Sequence, residues 1–282
     1  EMQINTLETI HTVLHPTFQL AVRDDIIRNN PSDGVMAQIK KQPGRNHGVR
    51  HALTLEQQRA FINYIESNPT YYRWTSLFKF LLGTGCRIGE AIGIRWEDVN
   101  FEKRVISINH SLVYYSREFK EHPMCTFSIS LPKTEAGIRS IPMMDAVYDA
   151  LRAELADQQE NGFNETEIDG MKGFIFMNRF GYVHNPQSIN RAIKRIYESY
   201  NAEEVVNASK QHREPVLIPH FSCHHLRHTF CSRFCENETN LKVIQSIMGH
   251  ANIETTMDIY AEVTDAKKQE AIENLAHKLD VF

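Results

Sequence analysis

Three short segments of this 282-residue chain carry side chains that suit chemistry on a phosphodiester. They read Gly-Thr-Gly-Cys-Arg-Ile-Gly-Glu (83–90), His-His-Leu-Arg-His-Thr (224–229) and Met-Gly-His, followed by a tyrosine ten residues after that histidine (248–260). With one lysine they provide six polar groups, namely Arg87, Lys133, His224, Arg227, His250 and Tyr260. Such groups could bind a phosphate, stabilise the negative charge that grows as it is attacked, and protonate the departing alkoxide.

Arg87 lies at a junction between two predicted helices. The apolar run over 71–82 predicts a helix that is stopped by Gly83 and Gly85, and a second helix over 88–94 begins at once. Glycine tolerates positive φ, so the chain can turn there and direct Arg87 away from the helix axis. The alternative role for Arg87 is to anchor a carboxylate such as Glu90.

His224 and Arg227 are three residues apart, so on a helix they share a face. Arg227 follows Leu226 and precedes His228-Thr229-Phe230, where a charge would be out of place unless it met an anion. A surface helix with solvated charges is the alternative. The neighbouring imidazoles of His225 and His228 are expected to be buried hydrogen-bonding groups that position the helix.

A zinc site formed by His224, His228, Cys231 and Cys235 is the competing interpretation of this helix. These four residues have helical spacing, and all four are types that zinc accepts. Zinc fingers, however, present ligands from two separate elements, whereas four ligands along one helix would spread around its axis. The spacing therefore argues against zinc.

Gly249 is placed to end a helix over 241–248, which leaves His250 at its C-terminus. The helix dipole there favours a protonated imidazole that could donate to a phosphate oxygen. Tyr260 falls in a short predicted helix over 253–260, where a tyrosine by itself would be a core aromatic. Lys133 lies between two strand-like runs, where a lysine by itself would be a solvated hairpin residue.

The surrounding pattern predicts a mainly α fold with a small antiparallel β-sheet, that is, an α+β domain. A capping box at Thr54 opens a helix to about residue 67, and further helices are predicted over 144–159 and 186–200. The predicted strands, of which the first three form one sheet, are 105–108, 127–131, 138–142 and a short strand at 173–177. Residues 7–29 have helical spacing, and residues 40–45 are expected to form an exposed basic linker.

Composition fits a globular protein, with 41% hydrophobic and 23% charged residues. The chain has no apolar run near the roughly 20 residues of a membrane span, and its first residues lack a signal sequence, so no membrane association and a cytoplasmic location are expected. Five cysteines, an odd and small number, are expected to be reduced thiols. The net charge of −4 does not indicate nucleic acid binding, which depends on local surface charge.

Taken together, the three segments closely resemble those of the tyrosine recombinases, and among them the integrases of phages and conjugative transposons. The resemblance implies the tyrosine recombinase catalytic-domain fold over 47–282, ending in a docking helix near 266–278. It also implies that residues 1–46 are the C-terminal part of a core-binding domain and a linker, so that the chain is a fragment. By the same resemblance Tyr260 is the nucleophile, Lys133 is the general acid on a β-hairpin, and the other four residues bind the phosphate.

The implied function is site-specific recombination for integrating or excising a mobile element, through a 3′-phosphotyrosine intermediate. The implied partners are double-stranded DNA, further copies of the chain in a tetramer assembled through the C-terminal helix, and an accessory excision factor. No metal, cofactor or nucleotide is expected, and the sequence has no nucleotide-binding loop of the Gly-x-x-x-x-Gly-Lys-Ser/Thr type. The alternatives are a type IB topoisomerase, a catalytically silent DNA-binding protein and a metal-binding structural module.

Overall fold

A computed structural model of the protein describes residues 4–41, 52–118, 123–132 and 137–263. The chain divides into two compact units, Glu1–Arg50 and His51–Phe282. Lys133, most of the predicted linker and the predicted docking helix near 266–278 lie outside the described residues.

The N-terminal unit contains two helices, α1 (Ile4–Arg23) and α2 (Val35–Lys40). The helix predicted over 7–29 therefore ends earlier, and Lys40, predicted to lie in a linker, is helical. The buried side chain of Asn30 organises the intervening turn, because its Oδ1 accepts from the backbone N of Ser32 at 3.0 Å while its Nδ2 donates to the carbonyl of His15 at 3.1 Å. These hydrogen bonds give partners to backbone groups near the point where the chain leaves α1.

The second unit is built mainly from helices around one apolar core. Its helices are α3 (Leu55–Ser67), α4 (Thr75–Thr84), α5 (Ile88–Gly93), α6 (Asp145–Asn161), α7 (Pro186–Lys210), α8 (Cys223–Asn237), α9 (Leu241–Met248) and α10 (254–263), with 3₁₀ turns at Tyr72–Trp74 and Trp96–Asp98. The predicted capping box is confirmed, since the Thr54 side chain accepts from the backbone of Gln57. None of the described helices is long and apolar enough to cross a membrane.

Two of the predicted helix ends are wrong. Gly83 does not stop α4 but lies inside it, and the helix ends at Gly85 with a left-handed φ of 61°. Helix α7 starts at Pro186 as expected but runs ten residues past Tyr200. Near its end, Glu204 accepts from the backbone N of Val216 at 3.0 Å and from Arg213, which fastens the following loop to the extended helix.

The strands form two sheets where one was predicted. Strands β1 (Val99–Asn100), β2 (Val105–Ile108) and β5 (Arg139–Pro142) form one antiparallel sheet in the order β1-β2-β5, and β3 (Ser111–Glu118) pairs with β4 (Pro123–Ser130) in the other. The predicted strand over 127–131 thus belongs to a long hairpin whose first strand was not predicted. Across it the rings of Tyr114 and Phe127 lie 4.9 Å apart. The strand predicted at 173–177 forms only isolated bridges, Arg95 with Phe174 and Met177 with Val183.

A second, smaller hydrophobic cluster lies between α8, α9 and α10. Its buried members are Cys231, Cys235, Ile244 and Met248, and the partly buried residues against them include Phe230, Ile259 and Tyr260. This cluster packs α9 and α10, which carry the third motif segment, against α8, which carries the second motif segment.

Candidate active site

Three arginines from different parts of the chain converge on the carbonyl end of α9. They donate to three successive backbone oxygens: Arg139 Nε to Ile247 at 2.8 Å, Arg227 Nη2 to Met248 at 2.7 Å, and Arg87 Nη2 to Gly249 at 3.2 Å. The carbonyl groups at the end of a helix lack intrahelical partners and carry the negative end of its dipole, so they attract cations. His250 follows immediately, because Gly249 ends the helix with φ of 62° as predicted.

Glu90 ties two of these arginines together. Its Oε1 accepts from Nη1 of Arg87 at 2.9 Å and from Nη1 of Arg139 at 3.1 Å, while its Oε2 accepts from the backbone N of Arg87 at 2.8 Å and from Nη2 of Arg139 at 2.7 Å. Burial alone would raise the pKa of Glu90, but its hydrogen bonds and charge interactions with Arg139 and Arg87 outweigh burial and lower it. The carboxylate therefore stays ionised among the arginines.

Arg87 combines the two roles that the sequence left open. It does anchor the Glu90 carboxylate, yet 45% of its side chain remains exposed. A guanidinium carries five N–H donors in a fixed fork, so donors remain for an anion that approaches from solvent. The glycine-containing turn therefore places Arg87 where its guanidinium is held by Glu90 and remains accessible to solvent.

Arg227 is buried on α8 and bridges two elements, because its Nη1 donates to the carbonyl of Gly85 at 2.7 Å while Nη2 binds that of Met248. Burial, followed by repulsion from Arg87, lowers the pKa of Arg227 to about 10, so it remains charged at neutral pH. Its hydrogen bonds in this part of the structure are to backbone oxygens, and the anion that the sequence predicts for it is the phosphate of a substrate. Arg227, Arg87 and Arg139 together carry three positive charges beside the single carboxylate of Glu90, which makes the local potential favourable for a phosphate.

His250 is buried, and its Nδ1 lies 2.9 Å from Oγ1 of Thr256. Burial, and then the charges of Arg227, Arg87 and Arg139, lower the pKa of His250 to about 4. The expectation of a protonated imidazole at the helix terminus is therefore wrong for the protein without DNA. The helix dipole favours the protonated imidazole, but burial and the positive charges of three guanidiniums disfavour it.

Of the other predicted site residues, His224 and Tyr260 lie on neighbouring elements, while Lys133 is outside the described residues. His224 is exposed in the first turn of α8, three residues before Arg227, and Tyr260 is partly buried on α10. His225 makes the helix-positioning hydrogen bond expected of it, since its Nδ1 accepts from the backbone N of Ser222 at 3.2 Å, but it is partly buried where full burial was predicted. His228 Nε2 lies 3.7 Å from Oε2 of Glu262 on α10, which links the two helices.

Two residues of the site were missed in the sequence, Arg139 and Thr256. Arg139 alternates with Ile141 on the buried face of β5, and a charge at a core-facing strand position is a signal that could have revealed it. Thr256 gives no such signal, because a buried threonine is ordinary. Within the described ranges, no three His, Cys, Asp or Glu side chains are placed to hold a metal ion.

Comparison with solved structures identifies the class of this fold. The chain superimposes on the Tn1549 transposon integrase in complex with transposon right end DNA with a TM-score of 0.78 and 30% identity, covering 98% of this chain and 80% of that one. The XerA recombinase shares the fold, with a TM-score of 0.56 at 17% identity over 97% of this chain and 84% of that one. The predicted tyrosine recombinase catalytic-domain fold is thus confirmed.

Residues 51–267 match the phage integrase family, and the chain belongs to that family. It is 32% identical over 259 residues to the transposase from transposon Tn916 of Enterococcus faecalis, covering 92% of this chain and 58% of that protein. It is 29% identical over 280 residues to the prophage ps2 probable integrase of Lactococcus lactis subsp. lactis, covering 96% of this chain and 67% of the relative. The chain thus spans little more than half the length of the Tn916 transposase.

Proposed function

We propose that this chain is the DNA-cleaving and rejoining part of a site-specific recombinase of a mobile element, and that its substrate is double-stranded DNA. The observation that carries this proposal is the convergence of Arg87, Arg227 and His250 at the end of α9, where two guanidiniums can receive one phosphate. Relatives described as a transposase and an integrase favour recombination over the relaxation of supercoils by a topoisomerase.

In the proposed reaction the phenol oxygen of Tyr260 attacks the phosphorus and displaces the 5′ oxygen of the next nucleotide. A phenol has a pKa of about 10, so it must lose its proton as it attacks. Arg87 and Arg227 stabilise the added negative charge, and Lys133 gives a proton to the departing oxygen. One phosphodiester is exchanged for another, which leaves a 3′-phosphotyrosine and a 5′-hydroxyl, so no nucleotide is consumed.

His224 and His250 complete the proposed phosphate site. When Nδ1 of His250 accepts the hydroxyl proton of Thr256, the ring hydrogen resides on Nε2 and can be donated to a non-bridging oxygen. This neutral donor is compatible with a site that already contains three arginines.

The assembly around this chemistry is also part of the proposal. Residues 1–46 would be the end of a core-binding domain and its linker, residues 47–282 the catalytic domain, and the segment near 266–278 would dock onto a neighbouring protomer in a tetramer on two synapsed duplexes. An accessory factor would direct excision. The reaction would take place in the bacterial cytoplasm, where the DNA is.

A nicked suicide duplex tests the central step. Cleavage there releases a short strand that diffuses away, so the covalent protein–DNA adduct accumulates and is seen on a denaturing gel. The wild-type chain should form the adduct, whereas Tyr260→Phe should bind the duplex and form none, because only the phenol oxygen attacks. An adduct in Tyr260→Phe would assign another nucleophile, and no adduct in the wild type would support the catalytically silent alternative.

A further inference from the structure

Arg139 is a buried arginine outside the three motif segments. It begins β5, where residues 139 and 141 face the interior while 140 and 142 face solvent, and only 3% of its side chain is exposed. From this position the guanidinium is shielded from approaching DNA. Its bonds are to Glu90 and to the end of α9, so its influence on the site passes through those groups.

Arg139 limits how the Glu90 carboxylate can interact with Arg87. It grips both carboxylate oxygens in a two-pronged fork, at 3.1 and 2.7 Å, so the Arg87 side chain has a single bond to Oε1. A carboxylate released from that fork would be free to pair bidentately with the neighbouring guanidinium, which is the stronger geometry. Arg87 would then be drawn towards Glu90 and away from an incoming phosphate.

The same side chain also fixes the end of α9. Its Nε donates to the carbonyl of Ile247, one residue before the oxygen bound by Arg227 and two before the oxygen bound by Arg87. One guanidinium therefore links the sheet, the Glu90 carboxylate and the helix terminus that leads to His250.

We infer that Arg139 is a positioning residue for strand cleavage: by occupying Glu90 and holding the end of α9, it keeps Arg87 directed towards the phosphate. This inference rests on the proposed function. Arg139 touches no reacting atom in this scheme, so its loss should slow the chemical step and leave DNA affinity nearly unchanged.

The decisive comparison is between Arg139→Met and the double variant Arg139→Met/Glu90→Gln. In single-turnover reactions on the nicked suicide duplex, Arg139→Met should cleave about 100-fold more slowly with DNA affinity within about threefold of wild type. Neutralising the released carboxylate should restore at least about 10-fold of the lost rate in the double variant. If Arg139 had only a structural role, the second substitution would add damage, and a double variant as slow as the single one would overturn the inference.

Arg213 and Glu204 provide a matched control. Arg213 also grips a carboxylate with both Nη atoms, at 2.5 and 2.9 Å, but at the end of α7. Arg213→Met removes an ion pair of the same two-pronged geometry, at a side chain that is 40% exposed, and should keep its cleavage rate within about threefold of wild type. A loss as large as that of Arg139→Met would assign the effect to general destabilisation and overturn the inference.

Arg139→Lys covers the case in which the methionine variant fails to fold, because the ammonium keeps a positive charge beside Glu90. It can contact only one point where the fork contacts two, so cleavage should fall by about 10-fold. A rate equal to that of wild type would mean that charge alone is sufficient, and would contradict positioning by the fork.

A second measurement separates this inference from the proposed function. Inorganic phosphate can be titrated into the DNA-free protein while the His250 imidazole is followed by NMR. Phosphate should bind at least about fivefold more weakly to Arg139→Met than to wild type, and the double variant should recover. If wild type forms no adduct, the proposed function fails while this titration still tests Arg139, and equal phosphate affinity would refute the inference alone.

Discussion

Nδ1 of His250 lies 2.9 Å from Oγ1 of Thr256, and both residues are buried. The contact joins His250, two residues beyond the end of α9, to Thr256 on α10, the helix that also carries Tyr260. It fixes the orientation of the imidazole ring, because a buried ring nitrogen needs a hydrogen-bond partner. Together with the low pKa of His250, it defines an imidazole that is neutral near pH 7.

The protein should lose stability as the pH falls from about 6.5 towards 4. His250 has a folded-state pKa of about 4 against an ordinary value of 6.5, so the unfolded chain binds more protons in this window and unfolding becomes easier. Burial also lowers the pKa of His184 to about 4. Each histidine should cost about 2 kcal/mol in the free energy of unfolding between about pH 7.5 and 5.0.

Urea unfolding at these two pH values measures the effect. The loss should be smaller by about 2 kcal/mol in His250→Gln and, as the matched control, in His184→Gln, because each variant removes one of the two rings whose pKa is lowered to about 4. A His250→Gln protein with the full wild-type loss would show that His250 is not the titrating group.

Arg87→Lys and Arg227→Lys should both slow cleavage by at least about 100-fold, because lysine keeps the charge but loses the fork that fits a phosphate. Their effects on stability should differ. Arg227→Lys loses two buried hydrogen bonds to backbone oxygens and should lower the free energy of unfolding by about 2–4 kcal/mol. Because the Arg87 side chain is half-exposed, Arg87→Lys should lower it by less than about 1 kcal/mol. Single-turnover cleavage and urea unfolding test the two parts separately, and wild-type cleavage in either variant would remove that arginine from the site.

Gly85→Ala should destabilise the protein more than an alanine at another left-handed glycine. Gly85 has φ of 61°, and an added Cβ would lie 2.3 Å from Cδ1 of Phe230 on α8. Gly181 has φ of 76° with nothing within 4 Å of such a Cβ, so Gly181→Ala measures backbone strain alone, about 1 kcal/mol. Urea unfolding should show an additional loss of at least about 1 kcal/mol for Gly85→Ala. Equal losses would mean that Phe230 moves aside without cost.

The features predicted correctly from the sequence are local ones. The capping box at Thr54 and the glycine that ends α9 are set by hydrogen bonding and backbone preference within a few residues. The motif segments contain Arg87, Arg227 and His250, which the fold gathers at the end of α9. Their proximity was expected because each segment is short and chemically distinctive, while their roles in cleavage stay predictions.

The features that were missed depend on partners far away in the chain. The strand over 127–131 was assigned to the wrong sheet because its partner, β3, had not been recognised. Arg139 was not recognised as a residue of the site because its carboxylate partner, Glu90, lies 49 residues earlier. The prediction of a protonated His250 was wrong because it considered the local helix dipole without the three guanidiniums contributed by other segments.

Lys133 should act as the general acid that protonates the departing 5′ oxygen, a role that the resemblance to the tyrosine recombinases implies. An alkoxide leaves poorly without a proton, whereas a thiolate leaves readily because the pKa of a thiol, about 8.5, is far lower than that of an alcohol. Lys133→Ala should therefore cleave ordinary DNA slowly and recover on a duplex whose bridging 5′ oxygen is replaced by sulfur.

The control variants make this rescue specific. Tyr260→Phe should recover on neither substrate, because it lacks the attacking oxygen, and Arg87→Lys should be equally slow on both, because its defect lies at the non-bridging oxygens. His224 and His250 variants should likewise show little rescue. If Lys133→Ala is equally slow on both substrates, this lysine only contacts DNA and the proton comes from another group. His224, exposed in the first turn of α8, would then be the first residue to test by the same sulfur substitution.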